Sequence, residues 1–170
     1  RQPTAVPLCA AAAMLLVGGW NARAGAFPVL YPKNHGLWLT ADDAAMRAWA
    51  THAYVVLGQP GEGPVYFWGP GANAGDFRAT LQWLTLDGEA ATPVTKWDGR
   101  VESLAWVPHD VTSLPYQIRQ GEVAVIGVGG GRDILSAIWG RSTSIVGIEI
   151  NRGLVNLLAQ RARSFAGIAE

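Results

Sequence analysis

The sequence has a single cysteine, few charged residues and no excess of charge of either sign. Of its 170 residues 15% are charged, and 13 basic side chains balance 13 acidic ones. A balanced charge gives no support for a nucleic-acid-binding surface, so we expect no nucleic-acid partner. Cys9 cannot form a disulfide within the chain, and the scattered histidines do not have the spacing of metal ligands, so no metal site is predicted. Apolar residues make up 49% of the chain, which is enough for a folded core.

Residues 1–24 contain an uncharged run, 5–19, that is rich in Ala and Leu. This run is shorter than the roughly 20 residues that a membrane-spanning helix needs. We therefore predict the end of a transmembrane helix whose start lies upstream, with two alternatives. These are a signal peptide cleaved near Ala22-Arg23-Ala24 and a buried helix of a soluble domain. Arg23 and Lys33 follow the run and, for a true span, predict that the rest of the chain lies on the cytoplasmic side.

Residues 25–48 are predicted to be a linker, because Pro28, Pro32 and Gly36 interrupt any long element. Within it, residues 42–47 predict one or two helical turns at most. From Trp49 onwards the sequence changes to short aromatic and β-branched runs.

Residues 49–108 predict a small antiparallel β domain. Asp87-Gly88 is a hairpin signal between two of its strands, and Asp98-Gly99 marks another turn. Six of the eight tryptophans lie in or near this region, and we interpret them as core packing. The predicted strands are 53–57, 65–68, 81–86, 93–97 and 102–107.

Residues 121–170 predict strand, loop, helix, strand, helix, which is the βαβ pattern of an α/β domain. The first strand, 123–126, is apolar throughout, as a strand covered on both faces would be. The strand 144–150 repeats this character, and helices are expected at 132–139 and 154–163. Five residues, 127–131, contain four glycines and join the first strand to its helix.

The glycine loop and Glu149 predict a nucleotide-binding site. Glycine lets the backbone turn sharply and approach a ligand closely, and the helix that follows directs its free N–H groups to the same place. Glu149 ends the neighbouring strand, where a carboxylate accepts hydrogen bonds from both ribose hydroxyls of an adenine nucleoside. The predicted binding residues of the loop are Gly127, Gly129, Gly130 and Gly131.

Two residues after the loop bear on which nucleotide binds. The dinucleotide pattern G-x-G-x-x-G needs a third glycine where this chain has Arg132, which argues against NAD or FAD. Asp133 suits a ligand with an amino-acid tail, because an ammonium group needs an acceptor rather than more N–H donors. We therefore expect Asp133 to bind the amino group of such a ligand.

Residues 123–133 (VAVIGVGGGRD) and 146–151 (VGIEIN) resemble the spermidine synthase-like, or aminopropyltransferase, branch of the S-adenosylmethionine-dependent methyltransferase superfamily. Residues 84–88 (LTLDG) resemble the hairpin of its small β domain, and Leu114-Pro115 resembles the Leu-Pro before its first core strand. The likeness covers roughly residues 80–160 and, more weakly, residues 49–56. There are departures: Gly130 stands where the family has aspartate, and the family's tyrosine-led amine-binding cluster is Pro108-His109-Asp110 here.

The resemblance implies the N-terminal part of a Rossmann-like methyltransferase fold, preceded by a small antiparallel β domain. It implies aminopropyl or methyl transfer with S-adenosylmethionine or its decarboxylated form, to a small-molecule amine or other acceptor. The apolar segment also resembles the last transmembrane helix of bacterial membrane proteins that carry this domain, which implies membrane localisation. Whether the protein forms a homodimer is left open. The alternatives are a non-catalytic nucleotide-sensing or structural module and an NAD-dependent oxidoreductase.

The chain is expected to be a fragment of a longer protein. It begins with Arg1 rather than methionine, and it stops at Glu170 after only two parallel strands. A sheet of that size would have one uncovered face and one uncovered edge. The catalytic aspartate of the family lies beyond Glu170, so no catalytic residue is predicted.

Overall fold

The computed structural model describes residues 5–24, 44–160 and 163–167. The chain divides into two compact units, Arg1–Pro32 and Lys33–Glu170. Most of the predicted linker, residues 25–43, lies outside the described residues.

In the first unit, helix α1 covers Ala5–Ala24. The uncharged run 5–19 was too short to cross a membrane by itself, but the helix continues for one more turn to a total of 20 residues. Its mean hydropathy is 1.6, and none of its side chains is buried within the structure. A helix of this length is about 30 Å long, so α1 is long and apolar enough to span a bilayer.

The second unit begins with an antiparallel sheet of five strands. Strands β2 and β3 follow each other along one edge of the long strand β4, and β5 pairs along the other edge. The predicted Asp87-Gly88 turn joins β4 to β5, and both of its residues have positive φ. The strands are β1 (Ala44–Trp49), β2 (Tyr54–Gly58), β3 (Gly61–Pro64), β4 (Arg78–Leu86) and β5 (Ala90–Thr95).

Two strands of this sheet correct the sequence prediction. Residues 44–47 are in β1, not in helical turns or a linker, because pairing of β1 with β2 overrides the helix preference of alanine. The predicted strand 65–68 is also wrong: β3 lies just before it, at Gly61–Pro64, and pairs with β4. The amide of Trp68 instead donates to the Asp110 carboxylate, at 2.8 Å, and so is not available to a ladder.

The predicted strand 102–107 is wrong as well. This region forms short 3₁₀ turns, Val101–Leu104, Val107–His109 and Val111–Ser113, followed by helix α2 (Leu114–Ile118). Pro108 has no N–H to donate to a sheet ladder. Three apolar side chains of this region are nevertheless buried, with Leu104 at 1%, Trp106 at 3% and Val107 at 0% exposure.

The order of elements predicted for residues 121–170 is confirmed, although the second strand ends at Ile148 rather than at 150 and the last predicted helix begins at Arg152. Strands β6 (Glu122–Ile126) and β7 (Ser144–Ile148) are parallel neighbours, and helix α3 (Arg132–Trp139) connects them. Helix α4 (Arg152–Gln160) follows β7, and α5 (Arg163–Ala166) comes after two residues that are not described. The described chain is therefore of mixed α and β type, with one antiparallel and one parallel sheet.

Two apolar clusters hold the second unit together. The first joins one face of the antiparallel sheet to α4 and α5, through side chains that include Leu84, Val94 and Leu157. The second joins the 3₁₀ turns to α3, with Trp106 packed near Leu135. Tryptophan is used less as core than we predicted, because Trp49 and Trp68 are 73% and 54% exposed.

One face of the parallel sheet is exposed, as expected for a sheet of two strands. Ile126 pairs with Ile148, and both point away from α3; they are 83% and 49% exposed. On the face that α3 covers, residue 147 is a glycine and has no side chain. A Cβ there would lie 2.9 Å from the Val128 side chain, so glycine lets β7 lie against the loop and α3.

We predict that Leu84→Ala destabilises the second unit by about 2–5 kcal/mol, because it leaves a cavity in the first cluster. Leu84 is 1% exposed, whereas Leu114, 50% exposed, provides a matched control. Urea unfolding of the full chain should show a large fall in midpoint for Leu84→Ala and a change within about 0.5 kcal/mol for Leu114→Ala. Equal midpoints for the two variants would contradict this assignment of the core.

Candidate functional site

The loop between β6 and α3 depends on glycine for its backbone conformation. Gly127, Gly129 and Gly131 have φ values of 78°, 54° and 84°, in the left-handed region that side chains with a Cβ rarely adopt. The loop is fixed at both ends, since Gly127 donates to the Ile148 carbonyl at 2.8 Å and Gly131 donates to Val128 at 2.8 Å. Three of the four predicted glycines are therefore needed for the turn itself.

Gly130 is needed for a different reason. Its φ is not positive, but a Cβ there would lie 2.5 Å from the Pro93 carbonyl oxygen on β5. The sequence predicted that glycine allows close approach of a ligand. At Gly130, the approach is to the chain's own sheet.

Glu149 meets the glycine loop, as the sequence predicted. It follows β7 directly, and its Oε2 accepts a hydrogen bond from the Gly129 amide at 3.2 Å. Its Oε1 accepts from the Asn151 amide at 2.8 Å. Each carboxylate oxygen has two acceptor positions, so each retains capacity for one more donor.

Arg132 carries a role that the sequence did not suggest. It is the first residue of α3 and only 4% exposed, and its guanidinium donates to the Asp110 carboxylate and to the Tyr66 carbonyl. The guanidinium carbon also lies 4.8 Å from the ring centre of Trp106, a cation–π distance. Burial lowers the pKa of Arg132, and the Asp110 charge opposes that shift.

Asp110 is buried and paired with Arg132. Its side chain is 0% exposed, and it also accepts from the backbone amides of Trp68 and Thr112, at 2.8 and 3.0 Å. The resemblance placed Asp110 in a cluster that holds an amine substrate. In the structure the Asp110 charge neutralises that of Arg132 instead. The sequence could not predict this pair, because 22 positions separate the two residues.

Asp133, the next residue of α3, is half-buried and has no hydrogen-bond partner among the described residues. Burial raises the pKa of its carboxyl; the Arg132 charge lowers it and the Asp110 charge raises it further. The Asp133 charge and burial together raise the pKa of Tyr116 on α2, with burial the larger cause. Asp133 is thus a half-buried carboxylate without a partner.

A cavity of about 440 Å³ lies between the β4–β5 hairpin and the glycine loop, and we call it the hairpin cavity. Of the predicted site residues it includes Gly127, Gly129 and Asp133. Thr112 and Arg132, which the sequence did not predict as binding residues, also line it. The rest of the wall consists of Trp68, Leu84, Leu86, Ala90, Ala91, Thr92, Val128 and Leu154.

Glu149 lines a second cavity, of about 560 Å³, between α3, β7 and α4. The structure therefore does not place Glu149 and Asp133 in one cavity. Gly129 connects the two cavities, because it lines the hairpin cavity and its amide donates to Glu149 in the second cavity. Within the described ranges no three His, Cys, Asp or Glu side chains are grouped as metal ligands would be.

We predict that Gly130→Ala destabilises the chain by about 1–3 kcal/mol, because the new Cβ forces the loop away from Pro93. Gly63→Ala is the control, since a Cβ at Gly63 meets nothing within 4 Å. Thermal melting of both variants measures the difference. Identical melting temperatures would show that the loop does not pack on β5.

We also predict that Arg132→Met costs about 3–5 kcal/mol of stability, because it leaves the Asp110 carboxylate buried without its counter-charge. Arg100→Met removes an ion pair with Asp98 whose side chains are 73% and 43% exposed, and it should leave the unfolding midpoint close to that of wild type. Urea unfolding of the two variants provides the test. A small loss for Arg132→Met would mean that the buried pair is not holding α3 in place.

Comparison of the chain with known protein families, with curated proteins and with solved structures finds no match in any of the three.

Proposed function

We propose that the second unit is the adenosyl-binding part of a spermidine synthase-like transferase, which uses S-adenosylmethionine or its decarboxylated form for aminopropyl or methyl transfer. One observation carries the proposal: the Glu149 carboxylate, at the carboxyl end of β7, lies within hydrogen-bond distance of the glycine loop that follows β6. In open α/β sheets ligands bind at this edge, beyond the carboxyl ends of parallel strands.

The residues around the loop favour an adenosyl sulfonium compound over a dinucleotide. Arg132, which replaces the third glycine of the dinucleotide pattern, directs its guanidinium to the Tyr66 carbonyl and the Asp110 carboxylate. Asp133 is then the charged side chain of the hairpin cavity that has no partner of its own. A carboxylate repels a pyrophosphate and attracts an ammonium group, because like charges repel and opposite charges attract. When bound, such a sulfonium compound supplies an activated carbon whose transfer leaves a neutral thioether.

The residues present fit such a ligand. Gly127, Gly129, Gly130 and Gly131 form the turn, Glu149 has acceptor capacity for ribose hydroxyls, and Asp133 has no partner of its own. No described residue is assigned as a catalytic acid or base. The acceptor belongs to the class of small-molecule amines or other nucleophiles.

A second candidate is a non-catalytic nucleotide-sensing or structural module of a membrane protein. The occupation of Asp110 by Arg132 favours it, because the position that resembles an amine-binding cluster is closed by an internal ion pair. Either function would operate at a membrane if α1 spans one. On that proposal, Arg23 and Lys33 place the second unit on the cytoplasmic side.

We predict that Glu149→Gln weakens binding of 5′-methylthioadenosine by about 10- to 100-fold, because charge-assisted hydrogen bonds to two ribose hydroxyls contribute about 1.5–3 kcal/mol each. The 2′-deoxy analogue tests the contact itself: wild type should bind it more weakly than the ribose compound, and Glu149→Gln should lose that preference. Glu122→Gln, an exposed residue at the opposite end of β6, is the matched control. Isothermal calorimetry on the full chain measures all affinities.

The same titration separates the alternatives. If Glu149→Gln keeps the wild-type preference for the ribose compound, Glu149 does not bind the ribose. Its role would then be structural, through its hydrogen bonds to Gly129 and Asn151. Tight NAD binding by wild type, without binding of adenosyl compounds, would replace the proposal with an oxidoreductase.

A further inference from the structure

The antiparallel sheet has a break along the edge of β4 that β2 and β3 share. Pairing of β2 with β4 ends at Leu57 and pairing of β3 begins at Gly61. Between them lies Pro60, which has no N–H to continue a ladder. A cavity of about 330 Å³ lies beside this break, and we call it the β3 groove. Its wall includes Gly61, Glu62, Gly63, Tyr66, Leu81 and Trp83.

Glycine leaves the floor of the β3 groove without side chains. Directly opposite residues of an antiparallel pair point to the same face, so positions 61 and 63 share a face with Leu81 and Ala79. Trp83 lies on that face too, because side chains alternate along β4. A Cβ at Gly61 or Gly63 would meet nothing within 4 Å. The floor is therefore open backbone next to the Trp83 side chain.

Two aromatic rings form a corner at the side of this floor. The ring centres of Tyr66 and Trp83 are 5.6 Å apart, and the rings are inclined at 75°. Both side chains are partly open to solvent, at 42% and 36% exposure. Tyr66 is also held from two other directions, since its ring meets that of Trp68 at 5.3 Å and its carbonyl accepts from the Arg132 guanidinium. The corner is therefore formed without a ligand, which lowers the cost of binding one.

The charge around the β3 groove favours a cation. Glu62 is the charged residue of its wall, and the Glu62 carboxylate accepts a hydrogen bond from the Thr80 hydroxyl on the opposite face of β3. Among the described residues, no basic side chain lines the groove and none forms an ion pair with Glu62. A cation in the corner would meet the negative faces of two aromatic rings, with an acid that has no counter-charge nearby.

We propose that the β3 groove binds a quaternary ammonium group, such as the one that choline carries. Two steeply inclined rings contact a compact, rounded cation from two sides, whereas a flat group would stack on only one of them. A quaternary ammonium has no N–H, so it enters an aromatic corner without leaving a donor unsatisfied, and cation–π attraction supplies the binding. The groove shares no residue with the proposed nucleotide site. A quaternary nitrogen also has no lone pair with which to accept a transferred group, so the two proposals stand or fall separately.

The test compares choline with 3,3-dimethylbutanol, a neutral compound of the same shape in which carbon replaces the charged nitrogen. Binding to the full chain in a nonionic detergent is followed by the methyl NMR signal that both ligands have. Wild type should bind choline at least about fivefold more tightly than the neutral compound. In a chain with isotope-labelled tryptophan, choline should shift the Trp83 indole signal. Equal affinity for the two compounds, or an unshifted Trp83 signal with choline bound, would overturn the proposal.

Substitutions of the two rings locate the site. Trp83→Leu should abolish the preference for choline, because it keeps an apolar side chain and loses the aromatic face. Trp83→Phe restores a ring and should restore most of the preference, and Tyr66→Leu should lose part of it. Trp49→Leu is the matched control: Trp49 is 73% exposed and contacts Tyr54, so its loss should change neither affinity. The other indole signals report whether each variant is folded. A preference that survives both leucine variants would overturn the site.

A final comparison identifies where the quaternary ammonium comes from, since it can belong to a soluble compound or to a lipid head group. The full chain is placed in bilayers of phosphatidylcholine or of phosphatidylglycerol, which has no ammonium. A shift of the Trp83 signal in phosphatidylcholine alone would support the lipid head group as the source. The same Trp83 signal in both bilayers, with choline still able to shift it, would support a soluble compound.

Discussion

A buried guanidinium needs partners for its charge, and Arg132 finds them in the segment after β3 and among the 3₁₀ turns. Asp110 supplies the counter-charge, Tyr66 a carbonyl and Trp106 an aromatic face. Because Arg132 is also the first residue of α3, these contacts fix the start of that helix, and with it the glycine loop, against the rest of the unit. The position of the hairpin cavity depends on this attachment.

The same ion pair decides which charges are left for a ligand. Arg132 and Asp133 are consecutive, yet one is 4% exposed and paired while the other is half-buried and unpaired. Successive residues on a helix point about 100° apart, so Arg132 reaches Asp110 and Tyr66 while Asp133 does not. With Asp110 neutralised, Asp133 is the unpaired acid of the cavity. Burial is the largest cause that raises its pKa, the Arg132 charge lowers it, and the Asp110 charge raises it.

The glycine loop serves the fold and the site at once. Three of its glycines are required by positive φ, and Gly130 is required by the contact with Pro93. Its amide at Gly129 reaches Glu149, so the loop, β5 and the end of β7 hold one another in place. A ligand that binds here would meet a turn that is already formed, which lowers the cost of ordering it.

The sequence alone determined the elements whose signals are local. Continuous apolar runs predicted β6 and β7, Asp87-Gly88 predicted the hairpin, and the glycine loop with Glu149 predicted the meeting point of Gly129 and Glu149, because parallel strands end at the same edge. Tertiary structure decided the rest. Strand β3 has the sequence GEGP, with no strand preference of its own, and exists because β4 pairs with it. The partnership of Arg132 with Asp110 depends on how the 3₁₀ turns pack on α3, and such long-range packing leaves no spacing rule in the chain.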